Sequence, residues 1–142
     1  MDKKASPGKI AGIIFCILAG ICTVVLLFMD GYFSGQMKTI DKYYTSVARD
    51  DLNGFKSCFS PEFAETLTEA DLEDQAKRLQ ALLGSEEVKT DVTFLSRYKL
   101  NSAIYQVNFN YTVYNDDDNV TEQAWAVLYR DGMKWVITMI KS

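Results

Sequence analysis

The sequence predicts an α+β protein: an N-terminal transmembrane helix, then about three helices packed on a four-stranded antiparallel sheet. Three observations predict it. Residues 10–29 form an apolar run without a single charge. Between residues 36 and 83, apolar side chains recur every three or four positions. From Val88 the repeat becomes two.

The apolar run reads IAGIIFCILAGICTVVLLFM. As a helix it is roughly 30 Å long, the thickness of a bilayer's hydrocarbon core. It has no polar face for water, which argues against a helix buried in a soluble fold. A cleaved signal peptide has a shorter apolar region, about 7–15 residues, ending in a small-x-small site. Asp30-Gly31-Tyr32-Phe33-Ser34 offers no such site, and neither Cys16 after Phe15 nor Cys22 after Ile21 has the small neighbour that lipidation needs. Lys3, Lys4 and Lys9 precede the run, and the first positive residue after it is Lys38. Positive charge stays inside. The expected plan is therefore a cytoplasmic tail (1–9), a membrane helix (10–29), a spacer (30–35) and an extracytoplasmic domain (36–142). The bilayer is the first expected partner, through residues 10–29. Gly12, Cys16 and Gly20 form a stripe of small residues that would permit self-association.

Composition narrows the function. With 48% hydrophobic residues the chain can build a core. From Asp30 onward 18 Asp/Glu outnumber 12 Lys/Arg, a net charge of −6 that repels nucleic acid. Cys58 is the one cysteine beyond the apolar run, so no disulfide can form within the domain, and the thiol is expected to serve as a small apolar residue.

Met37, Ile40, Tyr44 and Val47 predict the first helix of the domain. The stretch 49–54 reads as a helix end and restart. Leu52, Phe55, Cys58 and Phe59 carry the second helix to Ser60-Pro61, where proline breaks the pattern. Thr68-Glu69-Ala70-Asp71 predicts a capping box, Leu72, Ala76, Leu79, Leu82 and Leu83 an apolar face, and Gly84 a C-terminal cap. Strands follow at 88–100, at 105–113 with alternating Tyr105, Val107, Phe109, Tyr111 and Val113, at 122–130, and at 133–140.

Turn chemistry predicts the register. A two-residue Asp131-Gly132 turn pairs Leu128 with Trp135, Ala126 with Ile137 and Ala124 with Met139. A four-residue turn at 116–119 pairs Tyr111 with Ala124, Phe109 with Ala126 and Val107 with Leu128. Both hairpins then show their apolar residues on one face, to which the helices pack.

Tyr43-Tyr44, the Arg49-Asp50-Asp51-Leu52 break, Cys58-Phe59-Ser60-Pro61 and the terminal strand after Asp131-Gly132 resemble the nuclear transport factor 2-like (cystatin-like) superfamily over residues 36–142. They look most like its small, membrane-tethered bacterial envelope members. The resemblance implies a cone whose curved sheet and helices can enclose a pocket. It also implies roles ranging from isomerase to subunit of a conjugation or secretion assembly. One feature departs from the pattern: no short strand is evident between the early helices.

No constellation of catalytic residues stands out. The chain has no histidine, no glycine-rich phosphate loop and no serine nucleophile motif, and it lacks a ligand set for zinc or calcium, so neither metal nor cofactor is expected. Tyr105 and Tyr111, with Asp41 or Asp91 as base, would be the acid–base groups of an isomerase-like site. Tyr105, Phe109, Tyr111 and Trp135 read more simply as core aromatics, with pocket lining as the alternative. On the opposite face Trp125 is expected beside Asn110, Val127 beside Asn108 and Tyr129 beside Gln106, with Val136 near them. This mixed apolar and amide surface suits an envelope protein partner. Asn110-Tyr111-Thr112 and Asn119-Val120-Thr121 match glycosylation acceptors. The expectation for the chain is a non-catalytic binding or interaction domain held at the membrane.

Overall fold

A computed structural model of the chain describes residues 6–142; within residues 24–34 it describes the helical backbone but not the side chains. The described elements are α1 (Pro7–Ala48), α2 (Leu52–Lys56), α3 (Pro61–Ala64), α4 (Glu69–Leu83), β1 (Lys89–Lys99), β2 (Ile104–Tyr114), β3 (Asn119–Asp131) and β4 (Lys134–Lys141). The class is α+β, with one antiparallel sheet in the order β1-β2-β3-β4. The chain divides into two compact units, Met1–Ser34 and Gly35–Ser142.

In the first unit, the described apolar side chains are exposed: Ile13 at 60% and Phe15 at 73%. Among the described residues no helix is long and apolar enough to cross a membrane. Side-chain description of the apolar run stops at Thr23, so the part of the expected span at 24–29 lies outside it. The backbone of α1 is helical through the expected spacer at 30–35. Gly31, Ser34 and Gly35 lower helix propensity, but unlike proline they leave every backbone N–H in place.

In the second unit, α1 buries Ile40, Tyr43, Tyr44 and Val47. Asp51 caps α2, its carboxylate accepting from the Gly54 N–H at 2.9 Å. Helix α2 stops at Lys56, short of the expected end at Ser60-Pro61, and Phe59 instead bridges Ile137; Pro61 opens α3, with Ser60 as N-cap. The capping box of α4 is complete. The Thr68 hydroxyl accepts from the Asp71 N–H, and the Asp71 carboxylate accepts from the Thr68 N–H. Gly84 closes the helix at φ 63°, and Leu72 and Leu79 are buried. Thr68→Ala is expected to cost about 0.5–2 kcal/mol. A thermal melt that matched the parent's would show that the cap contributes nothing.

The sheet departs from the expected register in two places, both by an even number of residues. β2 and β3 pair Phe109 with Ala124 and Val107 with Ala126, two positions from expectation. The loop is 115–118, because the Asn115 side chain accepts from the N–H groups of Asp117 and Asp118. β3 and β4 pair Asp131 with Lys134 and Leu128 with Ile137. The turn is therefore Gly132-Met133, with Gly132 at φ 62° as the first central residue, where a type II′ turn requires positive φ. An even shift leaves every residue on its face.

Two bulges are not even. At Leu95 the register shifts between Phe94↔Phe109 and Ser96↔Asn108. At Thr138 it shifts between Leu128↔Ile137 and Val127↔Met139. The second overturns the expected pairing of Met139 with Ala124: Met139 leaves the core face and is 56% exposed, and Ile140 pairs with Ala126 instead.

Helices and sheet meet over Val107, Phe109, Val113, Ala126 and Leu128, all at most 1% exposed. The small Ala124 and Ala126 leave room for Tyr44, whose ring lies edge-on to Phe109 at 5.9 Å. Trp135 packs on α1 so closely that a β-carbon at Gly35 would come 2.9 Å from its ring. The Ile137 N–H donates to the Cys58 carbonyl at 2.8 Å, and Phe59 bridges Ile137 in parallel. Among the described residues this isolated bridge lies between α2 and α3, where no short strand was expected. Cys58 is 1% exposed, and burial pushes its thiol up to about 11, so it acts as packing and not as a nucleophile.

Candidate functional site

A cavity of about 600 Å³ opens between α1, α4 and one end of the sheet. Helix α1 supplies Tyr43, Tyr44 and Val47, and α4 supplies Gln75, Arg78, Leu79 and Leu82. Positions 75, 78, 79 and 82 follow the helical repeat, so one face of α4 forms the wall. The sheet contributes Tyr111, Glu122, Ile140 and Lys141, with Ser142 beyond it. The size suits a small molecule.

Three tyrosines dominate the lining. Tyr44 and Tyr111 stack at 4.7 Å with their planes 15° apart, and Tyr43 meets Tyr44 edge-on at 5.1 Å. The Tyr43 hydroxyl donates to Gln75 Oε1 at 3.3 Å. Tyr44 is 2% exposed, and its hydroxyl makes no hydrogen bond among the described residues. Ser142 lies close enough to moderate the acidity of Tyr44 and Tyr111, but at Tyr44 it falls short of hydrogen-bond geometry. Burial pushes Tyr43 up to about 12 and Tyr44 further, in each case reinforced by a neighbouring tyrosine. Burial raises Tyr111 as well. All three hydroxyls therefore keep their protons at neutral pH and remain donors.

The expected aromatic quartet separates. Tyr111 lines the cavity, whereas Phe109 and Trp135 are core, at 0% and 5% exposed. Tyr105 packs edge-on against Trp135 at 5.7 Å and lies 5.0 Å below the Arg97 guanidinium. Burial raises the Asp41 carboxyl, Asp91 adds to the rise, and Arg49 opposes it. Neither Asp41 nor Asp91 lines the cavity, so the isomerase-like grouping is not assembled around it.

On the other face of the sheet Asn108, Asn110, Trp125, Val127 and Tyr129 are all half-buried. The two-residue shift changes their neighbours: Trp125 pairs with Asn108, Val127 with Gln106 and Tyr129 with Ile104, while Asn110 faces Gln123. The amides bond to one another: Gln106 donates to Asn108 at 3.1 Å, and Asn108 to Ser96 at 2.8 Å. Val136 belongs to this face but is buried, at 1%. Of the two glycosylation motifs, Asn110 lies mid-strand and Asn119 is exposed at the hairpin end.

Sequence reasoning missed Tyr43, Gln75, Arg78, Glu122 and Lys141 as lining. The signal available was the place of Gln75 and Arg78 one turn from Leu79 and Leu82 on α4, but polar residues flanking an apolar stripe read as ordinary solvent-exposed helix until the partner surface is known.

No protein-family model matches the chain, and no curated protein does. Among solved structures it is similar to a provisionally assigned calcium/calmodulin-dependent protein kinase type II association domain from Thiobacillus denitrificans, with a TM-score of 0.50 and 8% identity over 72% of this chain and 88% of that one. That likeness shows a shared fold. An NTF-2 like protein of unknown function from Shewanella oneidensis MR-1 aligns at a TM-score of 0.48 and 13% identity, over 76% of this chain and 95% of that one. A SEC-C motif containing protein from Rhodopseudomonas palustris aligns at 0.49 and 11%, over 70% and 71%. At such identities the likeness concerns the fold and not the function.

Proposed function

We propose that this chain is a membrane-anchored, extracytoplasmic member of the nuclear transport factor 2-like superfamily, and that it binds a small molecule without transforming it. The observation that carries the binding role is the cavity of about 600 Å³ between α1, α4 and the sheet. Its lining supports binding over catalysis. The tyrosine hydroxyls hold their protons, and the chain has no histidine to move one. The anchoring rests on the uncharged run at 10–29, on the exposure of its described side chains, and on the lysines that precede it.

Reporter fusions at the C-terminus test the placement. Alkaline phosphatase, which needs an oxidising compartment to fold, is expected to be active on the full chain, and green fluorescent protein dark. The opposite pattern would place the domain in the cytoplasm and end the proposal.

A further inference from the structure

We propose that the cavity takes a small organic anion, its flat apolar body against the tyrosines and its carboxylate on the Tyr44 hydroxyl. This rests on the binding role proposed above and specifies the ligand.

The first argument is the donor. Tyr44 is 2% exposed and its hydroxyl has no partner among the described residues. A buried donor left unmade costs free energy that an acceptor from outside recovers. The hydroxyl stays protonated at neutral pH, so what it needs is an acceptor and not another donor. Tyr43 does not compete, because it already donates to Gln75.

The second argument is charge. Arg78 and Lys141 stand on the rim with one acidic side chain, Glu122. Glu122 faces Tyr111 across the ladder. Arg78 is held at 3.0 Å by Asp74, one turn earlier, in an exposed pair of the kind that exchanges partners readily. In a domain whose net charge is −5, two cations at one mouth form a local exception that favours an anion over a cation. The third argument is shape. The parallel Tyr44–Tyr111 stack and the side chains of Val47 and Leu79 form flat apolar walls suited to a ring or a short chain.

The experiment is calorimetric titration of the full chain in nanodiscs, with empty nanodiscs as blank, using 2-naphthoate and its neutral isostere 2-naphthamide. Naphthoate is expected to bind at least about tenfold more tightly. Arg78→Gln should weaken naphthoate several-fold and leave naphthamide unchanged, whereas Tyr44→Phe should weaken naphthoate several-fold and naphthamide less, because the amide carbonyl accepts from the same hydroxyl without a charge. Tyr44→Phe should not lower the melting temperature, because it removes an unsatisfied donor; a merely structural hydroxyl would lower it. Equal binding of both probes, unaffected by either substitution, overturns the anion assignment while leaving the binding role standing. Binding of neither probe to a chain that melts cooperatively overturns the binding role as well.

Discussion

Phe109→Ala is expected to destabilise the Gly35–Ser142 unit by about 3–5 kcal/mol, the range for emptying a buried aromatic site. Phe109 is 0% exposed, lies edge-on to Tyr44 and stands opposite both Phe94 and Ala124. The small Ala124 cannot collapse into the hole, and Tyr44 is held in place by its stack on Tyr111. At roughly 4–8 °C per kcal/mol for a domain near this size, the melting temperature should fall by well over 10 °C. Thermal unfolding followed by circular dichroism measures this. Phe63→Ala is the control: Phe63 is 50% exposed, so its truncation should cost far less. Similar melts for the two variants would remove Phe109 from the core.

The second large effect is expected at Gly54. A β-carbon there would run into Ser46 Oγ and Asp51 Oδ2, and Asp51 is the N-cap of α2. Gly54→Ala must therefore either displace α2 from α1 or break the cap. Overpacking of this kind costs about 1–3 kcal/mol. A urea titration with an unchanged midpoint would show that the α1–α2 corner has slack. Gly84 provides a contrast, since a β-carbon there meets open space and any cost comes from its positive φ alone.

Several features were legible from local chemistry. The Thr68-to-Asp71 box and Gly84 identify both ends of α4, because capping needs only neighbours in sequence. The alternation of Tyr105, Val107, Phe109, Tyr111 and Val113 identifies β2 and its buried face. Pro61 was read as the end of a helix that in fact stops at Lys56, and not as the start of α3, the position that its fixed φ and missing N–H suit. The candidate site was far less legible. Tyr111 was anticipated, but Tyr43, Gln75 and Arg78 were not, because a cavity is bounded by residues distant in sequence. Trp135 and Phe109 looked equally eligible as lining, and the proximity of Gly35 and Tyr44 consigned them to the core.

What the sequence by itself determined was helix α4 and the four strands, the face each side chain takes along β2 and β3, and the uncharged run before the domain. These depend on periodicity and on local capping, which a single chain segment carries whole. Only the tertiary structure decided which residues stand opposite one another. A slip of two residues preserves every face, so the hydrophobic pattern is blind to it, and the hydrogen bonds that the Asn115 side chain accepts and the positive φ of Gly132 settle the register. The bulge at Thr138 lies beyond the pattern for the opposite reason. It breaks the alternation once, sending Met139 outward and Ile140 toward the cavity, in a strand already tied at Ile137 to the Cys58 carbonyl.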